Sequence, residues 1–190
     1  MSRSVASAVA PGATEIMMPK VVGTFPGFFA AAIRRAVRTR GSWQDTADRV
    51  AAVLRRQLPG PGLTSGQLAG DPAGYQTHLV HAEPDGSFSV AVTVWLPGQQ
   101  SPIHDHLAWC VTAVLHGAAY EEIFAVRDGH LEVIARNQNP TGAVSGFAPP
   151  GDIHRMGNSG QTVAVSMHVY GTDITRVGSS IRRLYDLPVR

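Results

Sequence analysis

A chain of 190 residues, 44% of them hydrophobic and 16% charged, is long enough to bury a core within one domain. Its formal net charge is only +2 and it carries no recognisable RNA- or DNA-binding motif, which argues against a nucleic-acid partner. The single cysteine, Cys110, excludes an intrachain disulfide framework, and no run approaches the roughly 18 apolar residues of a membrane span. We therefore expect a cytoplasmic protein without a membrane partner, either a monomer or a small homo-oligomer.

The N-terminal region is predicted to hold a disordered tail and two helices. Residues 1–20 are small, polar and patternless, which favours disorder. Across residues 25–38 the apolar side chains recur at helical spacing. Ser42, followed three residues later by Asp45, is a typical helix start, and an apolar stripe then continues until Pro59. Two amphipathic helices are therefore expected ahead of the rest of the domain.

After Tyr75 the pattern changes to short β-rich runs separated by turns, and most of these turns contain a dipeptide whose second residue is glycine. Evenly spaced short strands of this kind are typical of a β-sandwich or barrel. We predict a mainly β protein with one domain over residues 21–190, comprising helices over 21–60 and a β-barrel over 73–175. No element is assigned after the barrel. The predicted strands cover residues 75–81, 88–96, 108–115, 119–126, 130–135 and 162–170.

Three histidines form the strongest functional signal. His104 and His106 lie two residues apart on an extended segment, so their side chains point to the same face. His154 follows a Gly/Pro-rich turn and can complete a site of three imidazoles. Neutral imidazoles suit iron, copper, nickel or zinc, and three of them leave coordination positions open for chemistry. Asp105 has the opposite parity and is expected to point away from the metal.

These histidines lie in two segments that resemble the two motifs of the cupin family. The first motif (Gly, five residues, His-x-His, three or four residues, Glu, six residues, Gly) is matched with one substitution, Cys110 in place of the glutamate. The matching positions of the two motifs are Gly98, His104, His106 and Gly117 in the first, and Pro149, Gly151, His154 and Asn158 in the second. The resemblance implies a cupin double-stranded β-helix, a jelly-roll-like barrel, preceded here by two α-helices.

Cys110 in the glutamate position removes a fourth ligand from the site. Three neutral donors leave the charge of a divalent metal uncompensated, which favours an anionic, bidentate substrate. A thiolate that also carries a carboxylate or an amine would meet this requirement. The chain in this respect resembles the thiol dioxygenases, the cysteine dioxygenase family, whose chemistry implies Fe(II) as cofactor and a small thiol and O2 as substrates.

A second resemblance to the thiol dioxygenases lies on a late predicted strand. Ser166, His168 and Tyr170 alternate along it, so they share one face. The family carries a Ser-x-His-x-Tyr triad with this spacing. The resemblance implies that Tyr170 donates a hydrogen bond to substrate or oxygen while His168 and Ser166 set its orientation. The alternative, a polar strand face exposed to water, requires no such role.

The substrate side of the site departs from the family pattern. Cysteine dioxygenases place an arginine two residues after a tyrosine to clamp the substrate carboxylate, and the mercaptopropionate enzymes place glutamine there. Counting from Tyr75, this chain has Thr77. A hydroxyl cannot replace a bidentate guanidinium clamp, so either Arg155, Arg176 or His78 supplies the anchor or the substrate differs. We expect a thiol other than free cysteine, resembling 3-mercaptopropionate or a thiol-imidazole such as ergothioneine.

Cys110 shares the parity of His106 and is expected to face the substrate cavity. In mammalian cysteine dioxygenase a cysteine is cross-linked to the triad tyrosine through a thioether, whereas bacterial relatives usually have glycine there. Two interpretations of Cys110 therefore stay open, a thioether with Tyr170 and a small thiol that fills the space of the missing glutamate.

The sequence thus predicts an Fe(II)-dependent thiol dioxygenase that converts a small organic thiol to its sulfinic acid. One alternative is a cupin metalloenzyme with non-thiol chemistry, against which the spacing of Ser166, His168 and Tyr170 argues. Another is a non-enzymatic ligand-binding cupin, which is disfavoured because no DNA-binding motif accompanies the barrel.

Overall fold

The computed structural model describes residues 25–60 and 68–190, so the tail predicted over 1–20 lies outside the described residues. Within them it contains three helices and ten strands. The helices are α1 (Gly27–Arg38), α2 (Trp43–Arg56) and α3 (Ile174–Val177). The strands are β1 (Gln76–Ala82), β2 (Ser89–Trp95), β3 (His104–His106), β4 (Cys110–His116), β5 (Ala118–Arg127), β6 (His130–Pro140), β7 (Val144–Phe147), β8 (His154–Gly157), β9 (Ala164–Tyr170) and β10 (Ile181–Leu184).

The two N-terminal helices form as predicted and cover one sheet. The start of α2 is a capping box, in which Ser42 Oγ accepts from the Asp45 amide at 3.1 Å and the Asp45 carboxylate accepts from the Ser42 amide at 2.8 Å. Apolar side chains of both helices pack with residues of β1, β2, β4 and β9 in the largest hydrophobic core. No helix in the described ranges is both long and apolar enough to cross a bilayer.

The strands form two five-stranded sheets, ordered β1-β2-β9-β4-β7 and β10-β3-β8-β5-β6, with every pairing of named strands antiparallel. This arrangement confirms the predicted mainly β, cupin double-stranded β-helix preceded by two helices. Gly117, the last glycine of the first motif, has φ of 70° in the connection from β4 to β5. A Cβ atom there would lie 2.7 Å from the Val163 carbonyl oxygen, so both the backbone angle and the space require glycine.

Four strands lie outside the strand ranges predicted from the sequence: β3 and β8, which carry the histidines of the two motifs, and β7 and β10. β7 is a short strand that contains Gly146, and it pairs with β4 next to helix α2. β10 follows the predicted barrel range of 73–175 and pairs with β3, placing Ile181 opposite His106. Both β7 and β10 have four residues and lack a clear alternation of apolar and polar side chains, so only their pairing with distant strands marks them as β-structure.

Candidate metal centre

The three predicted metal-binding histidines lie together inside the barrel. β3 and β8 are neighbours in one sheet, and His104 lies directly opposite His154 in their register. His106 is two residues further along β3 and therefore projects from the same face. All three side chains are buried, and one nitrogen from each lies within 4.8 Å of the others. The spacing of these nitrogens is compatible with one shared metal ion.

Hydrogen bonds to the outer nitrogens orient the three rings. In each histidine Nδ1 is bonded to an oxygen, which leaves Nε2 as the donor available to a metal. The acceptors are Pro102 O, 2.9 Å from His104; Asp152 Oδ2, 3.2 Å from His106; and Glu121 Oε1, 2.8 Å from His154. Nε2 of His154 is buried and has no hydrogen-bond partner among the described residues. A buried nitrogen of this kind fits a metal ligand, so the donor set suits Fe(II) or another transition metal.

The ionisation states around the centre favour metal binding. Burial lowers the pKa of His104 well below its usual value and lowers that of His154 to about 3, so both rings are neutral near pH 7. Burial opposes ionisation of Asp152 as well, but the bonds from the imidazole and amide of His106 outweigh it and lower the carboxyl pKa. Neutral imidazoles beside an ionised carboxylate form a site that can accept a cation.

Cys110 lies directly opposite Tyr170 in the pairing of β4 with β9, so both side chains project from the same face of their sheet. The thiol is fully buried, and its pKa is raised well above the usual value by burial and then by Glu121 and Asp152. The residues that line the central cavity include Tyr170 but not Cys110. Cys110 is thus a neutral thiol beside Tyr170 and does not form part of the cavity wall.

The three alternating residues of β9 are only partly joined to one another. Ser166 Oγ lies 2.8 Å from His168 Nε2, at hydrogen-bonding distance. The rings of His168 and Tyr170 are stacked, with centroids 5.8 Å apart and planes at 17°, and no hydrogen bond joins these two side chains within the described structure. Burial raises the pKa of Tyr170 well above its usual value, so its phenol keeps its proton. Ring packing, and not a hydrogen bond, is therefore the contact between the His168 and Tyr170 side chains in the described structure.

A cavity of about 100 Å³ opens beside the histidines. Two of the four predicted substrate-side residues line it: Tyr75, whose ring stacks on Trp95 at 4.7 Å, and Thr77, whose hydroxyl lies 3.1 Å from that of Thr93. The cavity wall also includes residues 178–181, from the segment to which the sequence assigned no element. Among the described residues, no arginine or lysine lines this cavity.

Arg155, one of the side chains considered as a substrate anchor, does not line the cavity. Arg155 follows the ligand His154 on β8, so its side chain projects to the opposite face of the strand. There its guanidinium binds the Glu122 carboxylate, with Nε at 2.9 Å, and lies 5.8 Å from the Phe124 ring centroid. An arginine that is paired on the outer face of the sheet cannot reach the cavity.

The other two anchors that were considered also lie away from the cavity. Arg176 is an exposed residue of α3 whose guanidinium lies 3.1 Å from the Asp173 carboxylate. His78 follows Thr77 on β1, and because Thr77 faces the cavity His78 faces the opposite side of the sheet. The polar groups that reach the cavity are instead hydroxyls, among them those of Thr77 and Thr93.

Three features of the site were not predicted from the sequence. Asp152 had a local signal, because it lies two residues before His154 in the second motif. Glu121 had none, because its bond to His154 joins residues 33 positions apart. The cavity wall at 178–181 could not be predicted from the sequence either, because these residues belong to no recognised motif.

The barrel and its buried imidazoles define this chain as a cupin with a candidate metal site of three histidines. The sequence profile of the family described as cysteine dioxygenase type I matches residues 67–179. This match covers more than half of the chain, and the protein belongs to the cysteine dioxygenase type I family.

Solved structures with a similar barrel are distant in sequence. The Cupin_2 domain of an XRE family transcriptional regulator from Enterobacter cloacae is 17% identical, with a TM-score of 0.39 over 50% of this chain and 94% of that domain. A protein with a double-stranded β-helix domain from Klebsiella pneumoniae is 20% identical, with a TM-score of 0.44 over 56% of this chain and 84% of that one. The cupin domain of Cnp3 from Schizosaccharomyces pombe is 17% identical, with a TM-score of 0.46 over 63% and 80% of the respective chains. These structures bear on neither the activity nor the substrate of this chain.

Proposed function

We propose that this protein is a non-haem Fe(II)-dependent thiol dioxygenase that oxidises a small organic thiol to its sulfinic acid. In the balanced reaction R–SH and O2 give R–SO2H, so sulfur is oxidised and both oxygen atoms end on it. The observation that carries the proposal is the convergence of two groups on one cavity. His104, His106 and His154 converge there with free Nε2 atoms, and His168 and Tyr170 line the same space.

The metal would be held by the three histidines, with Asp152 and Glu121 orienting two of the rings from behind. Fe(II) bound there would supply the electrons that activate O2 and a positive charge that favours the thiolate form of the substrate. The protein supplies orientation and protons. Tyr170 keeps its phenolic proton because burial raises its pKa, so it can donate a hydrogen bond to a substrate or oxygen atom in the cavity.

The size of the cavity favours a compact thiol. The cavity measures about 100 Å³, so the smaller of the two candidate thiols, a 3-mercaptopropionate-like molecule, is favoured over a thiol-imidazole such as ergothioneine. Thr77 and Thr93 offer neutral hydroxyls for its polar end. Free cysteine is disfavoured because Thr77 stands where the family's carboxylate clamp would be.

Oxygen consumption tests this proposal. Purified protein loaded anaerobically with Fe(II) is mixed with O2 and, in turn, cysteine, 3-mercaptopropionate, cysteamine, mercaptosuccinate and ergothioneine. We expect uptake that depends on the thiol, is largest for 3-mercaptopropionate and yields one sulfinate per O2 by mass spectrometry.

The matched control pairs two histidine variants. His104→Ala should abolish uptake, whereas His116→Ala, which changes an exposed histidine at the end of β4, should retain it. Oxygen uptake without any thiol would indicate another cupin chemistry, and no uptake with any thiol would overturn the proposal.

The expected cytoplasmic location stays a prediction.

A further inference from the structure

Trp95, the last residue of β2, is hydrogen-bonded to the Ser-His pair. Its buried indole Nε1 lies 2.8 Å from Ser166 Oγ, and Ser166 Oγ lies 2.8 Å from His168 Nε2. Three side chains from neighbouring strands thus form one chain of hydrogen bonds that ends at a cavity-lining imidazole.

Which group donates and which accepts in these hydrogen bonds follows from the protons that each group carries. An indole Nε1–H can only donate, so Ser166 Oγ accepts from Trp95. The serine hydroxyl has one proton left to place, and within the described structure His168 Nε2 is its only other partner. If Nε2 carried a proton instead, the buried serine proton would have no acceptor, at the full desolvation cost. All three groups are satisfied only when Ser166 donates to Nε2.

An Nε2 that accepts a hydrogen bond fixes the tautomer of the ring. Burial, aided by the neighbouring histidines, lowers the pKa of His168 to about 3, so the ring is neutral near pH 7 and carries one proton. That proton must lie on Nδ1. No hydrogen bond joins Nδ1 of His168 to another described residue, so the Nδ1–H group is available to a molecule in the cavity.

We propose that Trp95 is a positioning residue that holds His168 as the Nδ1–H tautomer through Ser166, so that the ring presents a hydrogen-bond donor to the bound molecule. The indole acts on His168 through Ser166, to which its Nε1–H donates, although Trp95 also lines the cavity. The identity of the molecule that receives this bond rests on the proposed function. The tautomer itself does not, since it follows from the protein's own hydrogen bonds.

The tautomer can be measured without turnover. In full-length ¹⁵N-labelled protein loaded with diamagnetic Zn²⁺, two-bond ¹H–¹⁵N correlation spectra distinguish the protonated ring nitrogen of each histidine. We expect His168 to show a protonated Nδ1 in the wild type. Trp95→Phe removes the indole N–H and frees Ser166 to accept from the ring, so the spectrum should shift towards Nε2–H or a mixture. Trp109→Phe, in the core behind the same sheet, is the matched control and should leave the tautomer unchanged.

A second variant keeps the test sharp if Trp95→Phe does not fold. Ser166→Ala should move the chemical shift of the Trp95 indole proton away from its hydrogen-bonded value and should allow His168 to carry its proton on Nε2. Ser166→Thr keeps a hydroxyl and should preserve both the indole shift and the Nδ1–H tautomer. A wild-type His168 with its proton on Nε2, or a Trp95→Phe spectrum identical to the wild type, would overturn the proposal.

Activity supplies an independent measurement. In the Fe(II) enzyme with 3-mercaptopropionate, Trp95→Phe should lower kcat by about ten-fold, comparable to the smallest losses typical when the partner of a metal-bound histidine is removed. Trp109→Phe should stay within about two-fold. If neither the wild type nor Trp95→Phe consumes O2, while Trp95→Phe shifts the His168 tautomer as expected, the proposed function fails and the positioning role of Trp95 stands.

Discussion

Asp105 and Arg183 are joined by two hydrogen bonds, of 3.0 and 2.7 Å, from the guanidinium to a single carboxylate oxygen. Arg182 and Tyr185 donate to the same oxygen at 2.5 and 2.8 Å. Asp105 is fully buried and lies between two metal-binding histidines, yet its side chain faces away from them, as its parity predicts. The carboxylate therefore connects the metal-binding strand to the C-terminal strand that follows the cavity wall at 178–181.

Replacing this carboxylate should loosen the C-terminal wall. Asp105→Asn removes the charge that holds three donors, and because the carboxylate is buried we expect a loss of about 2 kcal/mol or more in the free energy of unfolding. Hydrogen exchange should accelerate at 178–184 before it does elsewhere in the barrel. Urea unfolding and exchange mass spectrometry measure the two effects.

The control for that variant is an exposed ion pair in the same sheet. Arg127 and Glu132 are 3.0 Å apart, with roughly half or more of each side chain in water. Glu132→Gln should cost less than about 1 kcal/mol. Equal losses for the two variants would mean that Asp105 contributes no more than a surface pair.

The acids behind the histidines should control metal affinity. Asp152→Asn exchanges the ionised acceptor of His106 for a neutral amide, and we expect Zn²⁺ or Fe(II) affinity to fall by about 10- to 100-fold. Glu121→Gln should have a smaller effect, because burial raises the pKa of Glu121 and a glutamine carbonyl still accepts from His154. Competition titration with a chelator measures both affinities.

Glu122→Gln is the matched control for Glu121→Gln, since it alters the next residue of β5. Its carboxylate binds Arg155 and Arg136 on the outer face of the sheet. Metal affinity should therefore be unchanged in this variant. A loss as large as that of Asp152→Asn would contradict the assignment of these orienting acids.

The metal-free protein should lose stability as pH falls. Burial lowers the pKa of His154 and of His168 to about 3, whereas in the unfolded chain both titrate near 6.5. Between these values the unfolded state binds more protons, so the free energy of unfolding falls with decreasing pH, by up to about 1.4 kcal/mol per pH unit for each histidine. Urea unfolding from about pH 7 to about pH 4 gives the slope. His168→Gln should reduce it and His116→Gln should not; equal slopes in all three proteins would argue against the prediction.

The pairing of Cys110 with Tyr170 supports a thioether between them. Forming it joins the sulfur to a ring carbon, releases one hydrogen from each residue and requires an oxidant, here O2, to take up two electrons. After aerobic incubation with Fe(II) and thiol, we expect an intact mass lower by two hydrogens. The Cys110→Ala variant, which cannot form the thioether, should show the intact mass calculated from its amino-acid sequence. An unchanged wild-type mass would leave Cys110 as a buried thiol that fills space.

Parity along a strand was enough to predict part of the site. The shared face of His104 and His106, and the outward direction of Asp105, follow from the alternation of side chains in any extended segment. The same rule could have excluded Arg155, because it is the immediate neighbour of His154. Glu121 could not be predicted in this way: it reaches His154 only because the pairing of β5 with β8 places Ile123 opposite His154, with Glu121 diagonal to it on the same face.

The mainly β class, the two N-terminal helices, the three imidazoles and the alternating triad could be read from the sequence, because each depends on spacing between residues close along the chain. The groups that surround them could not, because they are brought together by folding. The acids behind the histidines, the wall at 178–181 and the Trp95–Ser166–His168 chain all depend on the register between strands distant in sequence. That register is set by the packing of the whole barrel, and no local pattern of residues records it.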